Sequence, residues 1–181
     1  EDNCGTASTP VFSDTSVPLN CPQEKIITRT WTSVDNCGNV GTCEQSIFID
    51  DSTPPAIVCP DDVTVECDES LDPEINLDLG SATATDNCDN EPAVTYDDDE
   101  TPGACPQERS ITRTWGAVDD CGNFSLCDQT ITVEDTTPPA LSCPADVTVE
   151  CDQSTDPLVN TAVGQATATD NCDQEPIDIS Y

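Results

Sequence analysis

The sequence predicts an all-β chain, a tandem array of small antiparallel β-sandwich modules stapled by disulfides, and three observations carry that expectation. The stretch Asp51-Ser52-Thr53-Pro54-Pro55 returns 84 residues later as Asp135-Thr136-Thr137-Pro138-Pro139. The same offset takes Cys105 to Cys21, Cys121 to Cys37, Cys127 to Cys43, Cys143 to Cys59, Cys151 to Cys67, Cys172 to Cys88 and Cys88 to Cys4. A period of this size with six cysteines per unit marks a row of separately stapled modules. Apolar residues alternate over short runs bounded by Pro, Gly, Asn and Asp, and no long helical apolar period appears. Finally, thirteen cysteines occur without a histidine or a Cys-x-x-Cys pair, which favours disulfides over zinc thiolates. The period divides the chain into the later part of a first repeat at 1–50, a complete repeat at 51–134 and the earlier part of a third at 135–181.

Within the complete repeat, Ala56-Ile57-Val58-Cys59 and Val63-Thr64-Val65-Glu66-Cys67 read as one strand in two pieces, broken at Pro60-Asp61-Asp62. The acidic segment 68–80 contains Pro73 and reads as a surface loop with one short turn. Ala82-Thr83-Ala84-Thr85 is a strand with a thin inner face, ending in the turn Asp86-Asn87-Cys88-Asp89. Ala93-Val94-Thr95-Tyr96 is a further strand, followed by an acidic loop through Cys105. The clearest hairpin has arms 110–118 and 124–133 around Asp119-Asp120-Cys121-Gly122-Asn123, where glycine and asparagine supply the positive φ of a tight turn. Ile111, Arg113, Trp115 and Ala117 share one face of the first arm, and Cys127, Ile131 and Val133 one face of the second. Trp115, like Trp31, is expected to anchor a core, with Arg113 packed beside the indole or paired with an acid.

Six or seven short strands with one hairpin and Pro-rich joints fit an immunoglobulin-like antiparallel β-sandwich. In that architecture the first strand runs beside the last, and the loop after the second strand shares an end with the final hairpin turn. The loop before that hairpin lies at the far end. Of the 15 pairings open to six cysteines, this arrangement selects Cys59 with Cys127, Cys88 with Cys121 and Cys67 with Cys105. In the first repeat it gives Cys4 to Cys37. A Cys59–Cys127 loop of roughly 70 residues contributes about 4 kcal/mol by chain entropy, a large share for a thin core.

Composition bounds the setting. Residues of hydrophobic type make up 35% of the chain and aromatics 4%, so burial alone leaves each module marginal. Persistent disulfides need an oxidising compartment, which predicts an extracellular or cell-surface location. No apolar run approaches the roughly 20 residues of a membrane span, and no signal peptide is visible, so the residues are expected to be an internal slice of a longer exported polypeptide. The net charge of −33 sets 37 acids against Lys25, Arg29, Arg109 and Arg113, which repels nucleic acid and anionic membranes. Scattered acids such as Asp97, Asp98, Asp99 and Glu100 read as solubility or adaptation to a salty medium.

Asp-Thr-Thr-Pro-Pro, Cys-Pro-x-Asp-Val-Thr-Val, Ala-Thr-Ala-Thr-Asp-Asn-Cys and Val-Asp-x-Cys-Gly-Asn together resemble the hyalin repeat, an immunoglobulin-like extracellular module. The closer resemblance is to its cysteine-rich relatives in tandem arrays of very large bacterial surface proteins. It covers the whole chain and implies adhesion, matrix formation or fibre building, and no catalysis. Six cysteines per unit exceed what that family usually carries, so the resemblance implies nothing about pairing.

The sandwich topology gathers three acidic pieces at one end of a module: Asp50 and Asp51 at the joint, Asp86, Asn87 and Asp89, and Asp119, Asp120 and Asn123. Asp135, Asp170 and Asp173 are their counterparts in the third repeat. Calcium takes six to eight oxygen ligands from such loops, so these residues are the candidate metal ligands and calcium the candidate cofactor. The competing reading is that Asp and Asn cap turns locally. Asn123-Phe124-Ser125 is a glycosylation sequon in a place where the turn needs the asparagine, and Asp51-Ser52-Thr53 and Asp135-Thr136-Thr137 resemble short bacterial O-glycosylation sites. Without histidine or an expected free thiol, no nucleophile with a base is in sight, and no enzyme is expected.

Taken together, the expectation is a structural module of an extracellular adhesive fibre or surface appendage, able to join other copies of itself laterally or head to tail. In the head-to-tail form Cys143 meets Cys43 and Cys151 meets Cys21, with Cys4 and Cys172 competing for Cys37. The alternative is a ligand-binding adhesin module that recognises a glycan or a surface protein.

Overall fold

The computed structural model describes residues 8–173, with Ile177 and Ile179. The described residues are all-β, with 3₁₀ turns as their only helical pieces. The strands are β1 (Val11–Pro18), β2 (Lys25–Val34), β3 (Val40–Ile49), β4 (Ala56–Val58), β5 (Val63–Glu66), β6 (Thr83–Thr85), β7 (Ala93–Pro102), β8 (Arg109–Val118), β9 (Phe124–Glu134), β10 (Ala140–Ser142) and β11 (Thr167–Thr169). They form sheets β1-β2-β3, β4-β6, β10-β11 and β5-β9-β8-β7. The sequence period reappears in the elements. β4 and β6 return 84 residues later as β10 and β11, and the 3₁₀ turn Leu77–Leu79 returns as Thr161–Val163.

The chain divides into two compact units, and β7, β8 and β9 contribute to both. The first comprises Glu1–Cys59, Ala82–Tyr96 and Thr114–Cys127. In it β2 is the centre of an antiparallel trio, pairing Trp31 with Phe12 on one side and with Cys43 on the other. Arg29 lies 4.1 Å over the Phe12 ring and donates through Nε and Nη2 to Asp14 at 2.9 and 2.8 Å. Further on, Trp115 is buried against Tyr96 with ring centroids 5.0 Å apart, the anchor its position predicts. The Ser125 hydroxyl donates to the Pro55 carbonyl at 2.6 Å, fixing the Pro-Pro joint to β9.

The second unit comprises Pro60–Ser81, Asp97–Arg113 and Asp128–Tyr181. The break at Pro60-Asp61-Asp62 separates β4, which pairs antiparallel with β6, from β5, which pairs parallel with β9 in the register Val63 to Ile131 and Val65 to Val133. Val65, Leu79, Ile111, Ile131 and Val133 form the core. Asn76 starts the 3₁₀ turn by accepting from the Asp78 amide, and the turn delivers Leu79 into that core. Gln129, fully buried among apolar neighbours on β9, was not singled out by pattern. Its Nε2 donates to the carbonyls of Asp61 and Leu79 at 2.9 and 2.7 Å, satisfying backbone at the proline break and at the end of the 3₁₀ turn.

Several expectations need correction. The acidic run 97–100 is not a loop, because β7 extends from Ala93 to Pro102. Arg113 explains this: it donates through Nε and Nη2 to Asp98 at 2.7 and 2.8 Å, and through Nη2 to the Leu71 carbonyl at 2.7 Å. Arg109 lies 3.6 Å from Glu100. Alternate acids thus meet the chain's few cations across the β7–β8 pair, so Asp98 and Glu100 are more than solvating charge. In the hairpin turn only Gly122 takes a positive φ, of 90°, and no described non-glycine residue does.

The disulfides are Cys21–Cys121, Cys59–Cys127 and Cys67–Cys172, with Cα separations of 5.0, 5.9 and 5.7 Å. Cys88–Cys121 and Cys67–Cys105 are therefore corrected: Cys88 and Cys105 are half-buried free thiols. The sandwich map closed every bridge inside one repeat. Sequence separations of 100 and 105 residues exceed the 84-residue period, so two bridges join consecutive repeats. Cys21 lies in the β1–β2 turn, whose Glu24 amide donates to its carbonyl, and its buried side chain joins that turn to the hairpin turn of the following repeat. The head-to-tail pairing of Cys151 with Cys21 is excluded for the same reason, and Cys172 does not compete for Cys37. Cys37 is free, and Cys4 lies outside the described residues.

Candidate functional site

Most of the recurring aspartates hold turns. Asp119 Oδ1 accepts from the amides of Cys121 and Asn123 at 2.9 and 2.8 Å, and its Oδ2 accepts from Asn123 Nδ2 at 2.8 Å. Asp35 does the same for Cys37 and Asn39, at 2.9 and 2.7 Å to the amides and 2.7 Å to Asn39 Nδ2. Those bonds, the Asn39 side chain first, hold the Asp35 carboxyl below its usual range. Asp86 Oδ1 accepts from the amides of Cys88 and Asp89 at 2.8 and 3.0 Å, and Asp170 Oδ1 accepts from Cys172 and Asp173 at 2.9 and 3.3 Å. The repetition of these acids therefore follows from local side-chain capping of a repeated turn.

Two carboxylates do more. Asp51, 6% exposed, accepts from the Thr53 amide through Oδ1 at 3.3 Å, while its Oδ2 is buried with no hydrogen-bond donor. Asp86 Oδ2 is likewise buried and without a donor. Ligand atoms of Asp51, Asp86 and Cys88 lie within 4.8 Å of one another. Burial pushes the Cys88 thiol up, and the charges of Asp51 and Asp86 add to the shift, so this cysteine stays protonated and is a reluctant nucleophile. Amides from Asp89 and Cys88 hold the Asp86 carboxyl below its usual range. The arrangement is a pair of buried carboxylate oxygens beside a neutral thiol that hydrogen-bonds Asp51, which concentrates negative potential at one point.

The neighbouring pieces brace this pair. Asn123 Nδ2 donates to the Asp51 carbonyl at 3.0 Å, and Asp89 Oδ2 accepts from the Asp120 amide at 3.0 Å. The two loops are thus tied by Asp89 and Asp120, the role the sequence had assigned to a Cys88–Cys121 bridge. Asp50, Asn87 and Asp120 are exposed, as is Asp173; the carboxylates of Asp50, Asp120 and Asp173 lie outside the Asp51–Asp86 cluster, whereas Asn87 Nδ2 donates to Cys88 Sγ at 3.0 Å. Asp50 acts elsewhere: burial raises the Glu24 carboxyl, and Asp50 raises it further.

A second acidic group surrounds the Cys67–Cys172 bridge, where Glu66 and Asp135 have ligand atoms within 4.8 Å of the sulfurs and of each other. Glu66 accepts from the Thr136 amide at 3.2 Å and from the Thr136 hydroxyl, joining β5 to the second joint. Sequence reasoning missed Glu66, although its return as Glu150 in the same period was a usable signal. No helix among the described residues is long and apolar enough to cross a membrane. The chain matches no family model and no curated protein in comparison.

Proposed function

We propose that the chain is a structural module of an extracellular adhesive fibre or cell-surface appendage, made of immunoglobulin-like repeats of the hyalin type. One observation carries this reading: the three disulfides stand in series along a short covalent path. Cys21 is bridged to Cys121, six residues run on to Cys127, that is bridged to Cys59, eight residues run on to Cys67, and that is bridged to Cys172. Tension between Cys21 and Cys172 travels through two short stretches and three bridges, bypassing the 151-residue backbone between them. Such a latch suits a chain that bears load. The split of one strand between β4 and β5, the second piece parallel to β9, is the pairing of an immunoglobulin-like sandwich and supports the module assignment.

Pulling single oxidised chains by their ends tests it. Opening the region between Cys21 and Cys172 is expected to add less than about 100 Å with bridges intact and on the order of 500 Å after reduction, at about 3.4 Å per extended residue. Equal extensions in the two states would remove the mechanical reading.

Calcium at the joint belongs to the same proposal, with its ligand set narrowed to Asp51 and Asp86, whose buried oxygens have no donor. Carboxylates suit calcium and a thiol does not, so backbone carbonyls and water would complete the shell. Calorimetric titration with calcium is expected to show binding that Asp51→Asn and Asp86→Asn each weaken at least tenfold while Asp120→Asn leaves it unchanged. No heat of binding would end the calcium part alone.

A further inference from the structure

The three bridges differ in what surrounds their sulfurs. Glu66 and Asp135 have carboxylate oxygens within 4.8 Å of the Sγ atoms of Cys67 and Cys172, and Glu24 has one within 4.8 Å of those of Cys21 and Cys121. Among the described residues, Cys59–Cys127 belongs to no such group. The division follows the repeat: the two acid-flanked bridges join consecutive repeats, and the third closes a single one.

The acids are held beside the sulfurs by the local fold. Glu66 accepts from the Thr136 amide at 3.2 Å and from the Thr136 hydroxyl. The Glu24 amide donates to the Cys21 carbonyl at 3.2 Å, so one tight turn carries both sulfur and carboxylate. Asp50 hydrogen-bonds Glu24 and Asp51 acts on it by charge, which deepens the negative field at that bridge. The described ion pairs take Arg29, Arg109 and Arg113 to Asp14, Glu100 and Asp98, and none reaches Glu24, Glu66 or Asp135. Burial separates the bridges less. Cys21 and Cys172 are buried, but their partners Cys121 and Cys67 are half-buried, as are both Cys59 and Cys127.

Charge enters thiol–disulfide exchange twice. The attacking species is a thiolate, which neighbouring carboxylates repel if the reagent is an anion overall. The sulfur that departs also does so as a thiolate, a form those carboxylates disfavour. For unit charges 4.8 Å apart the effect is roughly fivefold in rate at the dielectric constant of water, and larger where water is partly excluded.

We propose that Cys21–Cys121 and Cys67–Cys172 select their reductant by charge, yielding to thiols that carry a compensating cation and resisting anionic ones, while Cys59–Cys127 does not discriminate. In each reduction the incoming thiolate bonds to one protein sulfur, and the electron pair of the broken S–S bond leaves on the other. A second thiol resolves the mixed disulfide. Two reagent thiols thus become one disulfide, and one bridge becomes two protein thiols that take up the reagent's protons. An anionic thiol opens a repeat internally before it separates that repeat from its neighbours. This chemistry belongs to the bridges themselves and does not depend on the fibre reading.

The test reduces the full chain at about pH 8, where carboxyls are ionised, with free thiols alkylated beforehand and a calcium chelator present. Glutathione is the anionic thiol. Cysteamine, whose ammonium offsets its thiolate, is the other, used at matched thiolate concentration. Initial rates at each bridge are read by quenched alkylation and peptide mapping. The cysteamine-to-glutathione rate ratio is expected to be about tenfold larger at the two acid-flanked bridges than at Cys59–Cys127. That bridge feels the background repulsion of the −33 net charge and is the internal reference. In about 1 M salt the three ratios are expected to converge. Glu66→Gln with Asp135→Asn is expected to lower the ratio at Cys67–Cys172 alone, and Glu24→Gln that at Cys21–Cys121 alone. The amides keep an acceptor oxygen in place, and the salt comparison needs no variant. Equal ratios at all three bridges, or a difference that survives both salt and neutralisation, overturns the proposal.

Discussion

Val63-Thr64-Val65-Glu66 and Val147-Thr148-Val149-Glu150 are the same four residues one period apart, yet only the first is a strand. Beside β9, Val65 is 5% exposed and the Cys67 amide donates to the Glu134 carbonyl at 3.0 Å. In the tail, Val147 is 49% exposed and no described strand lies alongside. Intrinsic propensity is identical in the two places, so the partner ladder and the core it covers decide the outcome. The same contrast separates β3 from β9 and Arg29 from Arg113. β9 has β5 and a buried core beside it, while β3 and the stretch 147–150 are largely exposed among the described residues.

The largest expected effect comes from opening the completed repeat at its internal bridge. Cys59→Ala with Cys127→Ala removes a 68-residue loop constraint and is expected to lower unfolding free energy by about 4 kcal/mol in urea titrations of monomeric chain. Cys43→Ala with Cys143→Ala, the equivalent exchange outside the completed repeat, is expected to change it by less than about 0.5 kcal/mol. Similar losses for both would mean that the partial repeats already have the same internal organisation.

A second contrast uses the two arginines. The Arg113 side chain is 1% exposed and serves both Asp98 and a backbone carbonyl, whereas that of Arg29 is 26% exposed and serves Asp14 alone. Arg113→Ala leaves the Leu71 carbonyl and a partly shielded carboxylate without their donor, at an expected cost of about 3 kcal/mol. Arg29→Ala is expected to cost about 0.5 kcal/mol, as for a surface pair. Thermal unfolding of the two variants side by side checks the ratio, and equal costs would show that burial is not what separates the two sites.

These contrasts also show what was legible in the sequence. The interrupted first strand, the hairpin arms and the alternating faces of β8 and β9 rest on local pattern, and local pattern locates them. The bridges Cys21–Cys121 and Cys67–Cys172 rest on how one repeat meets the next, which no spacing inside a repeat encodes. The run Asp97–Glu100 reads as a loop because acids disfavour strands, and it becomes a strand through arginines on the neighbouring strand. At the acidic end, the sequence located every loop but could not rank the aspartates. Ranking depends on which oxygen already has a donor, and that separates Asp51 and Asp86 from Asp119 and Asp89.

The smallest expected effect is a pH dependence at the exposed hairpin turn of the head. Asp35 has a carboxyl held below the usual carboxylate range, chiefly by the Asn39 side chain and then by backbone amides. A depressed carboxyl contributes stability that is fully present above its unfolded-state value and is lost as pH falls through its lower folded-state value. Asp35→Asn has no such proton to gain, so wild type is expected to lose its advantage over the variant as pH falls below about 4. Urea midpoints measured across that range should converge, with the carbon shift of the Asp35 carboxyl titrating over the same interval. A difference between the two chains that stays constant with pH would locate the contribution of Asp35 in turn geometry alone, leaving its charge without a role.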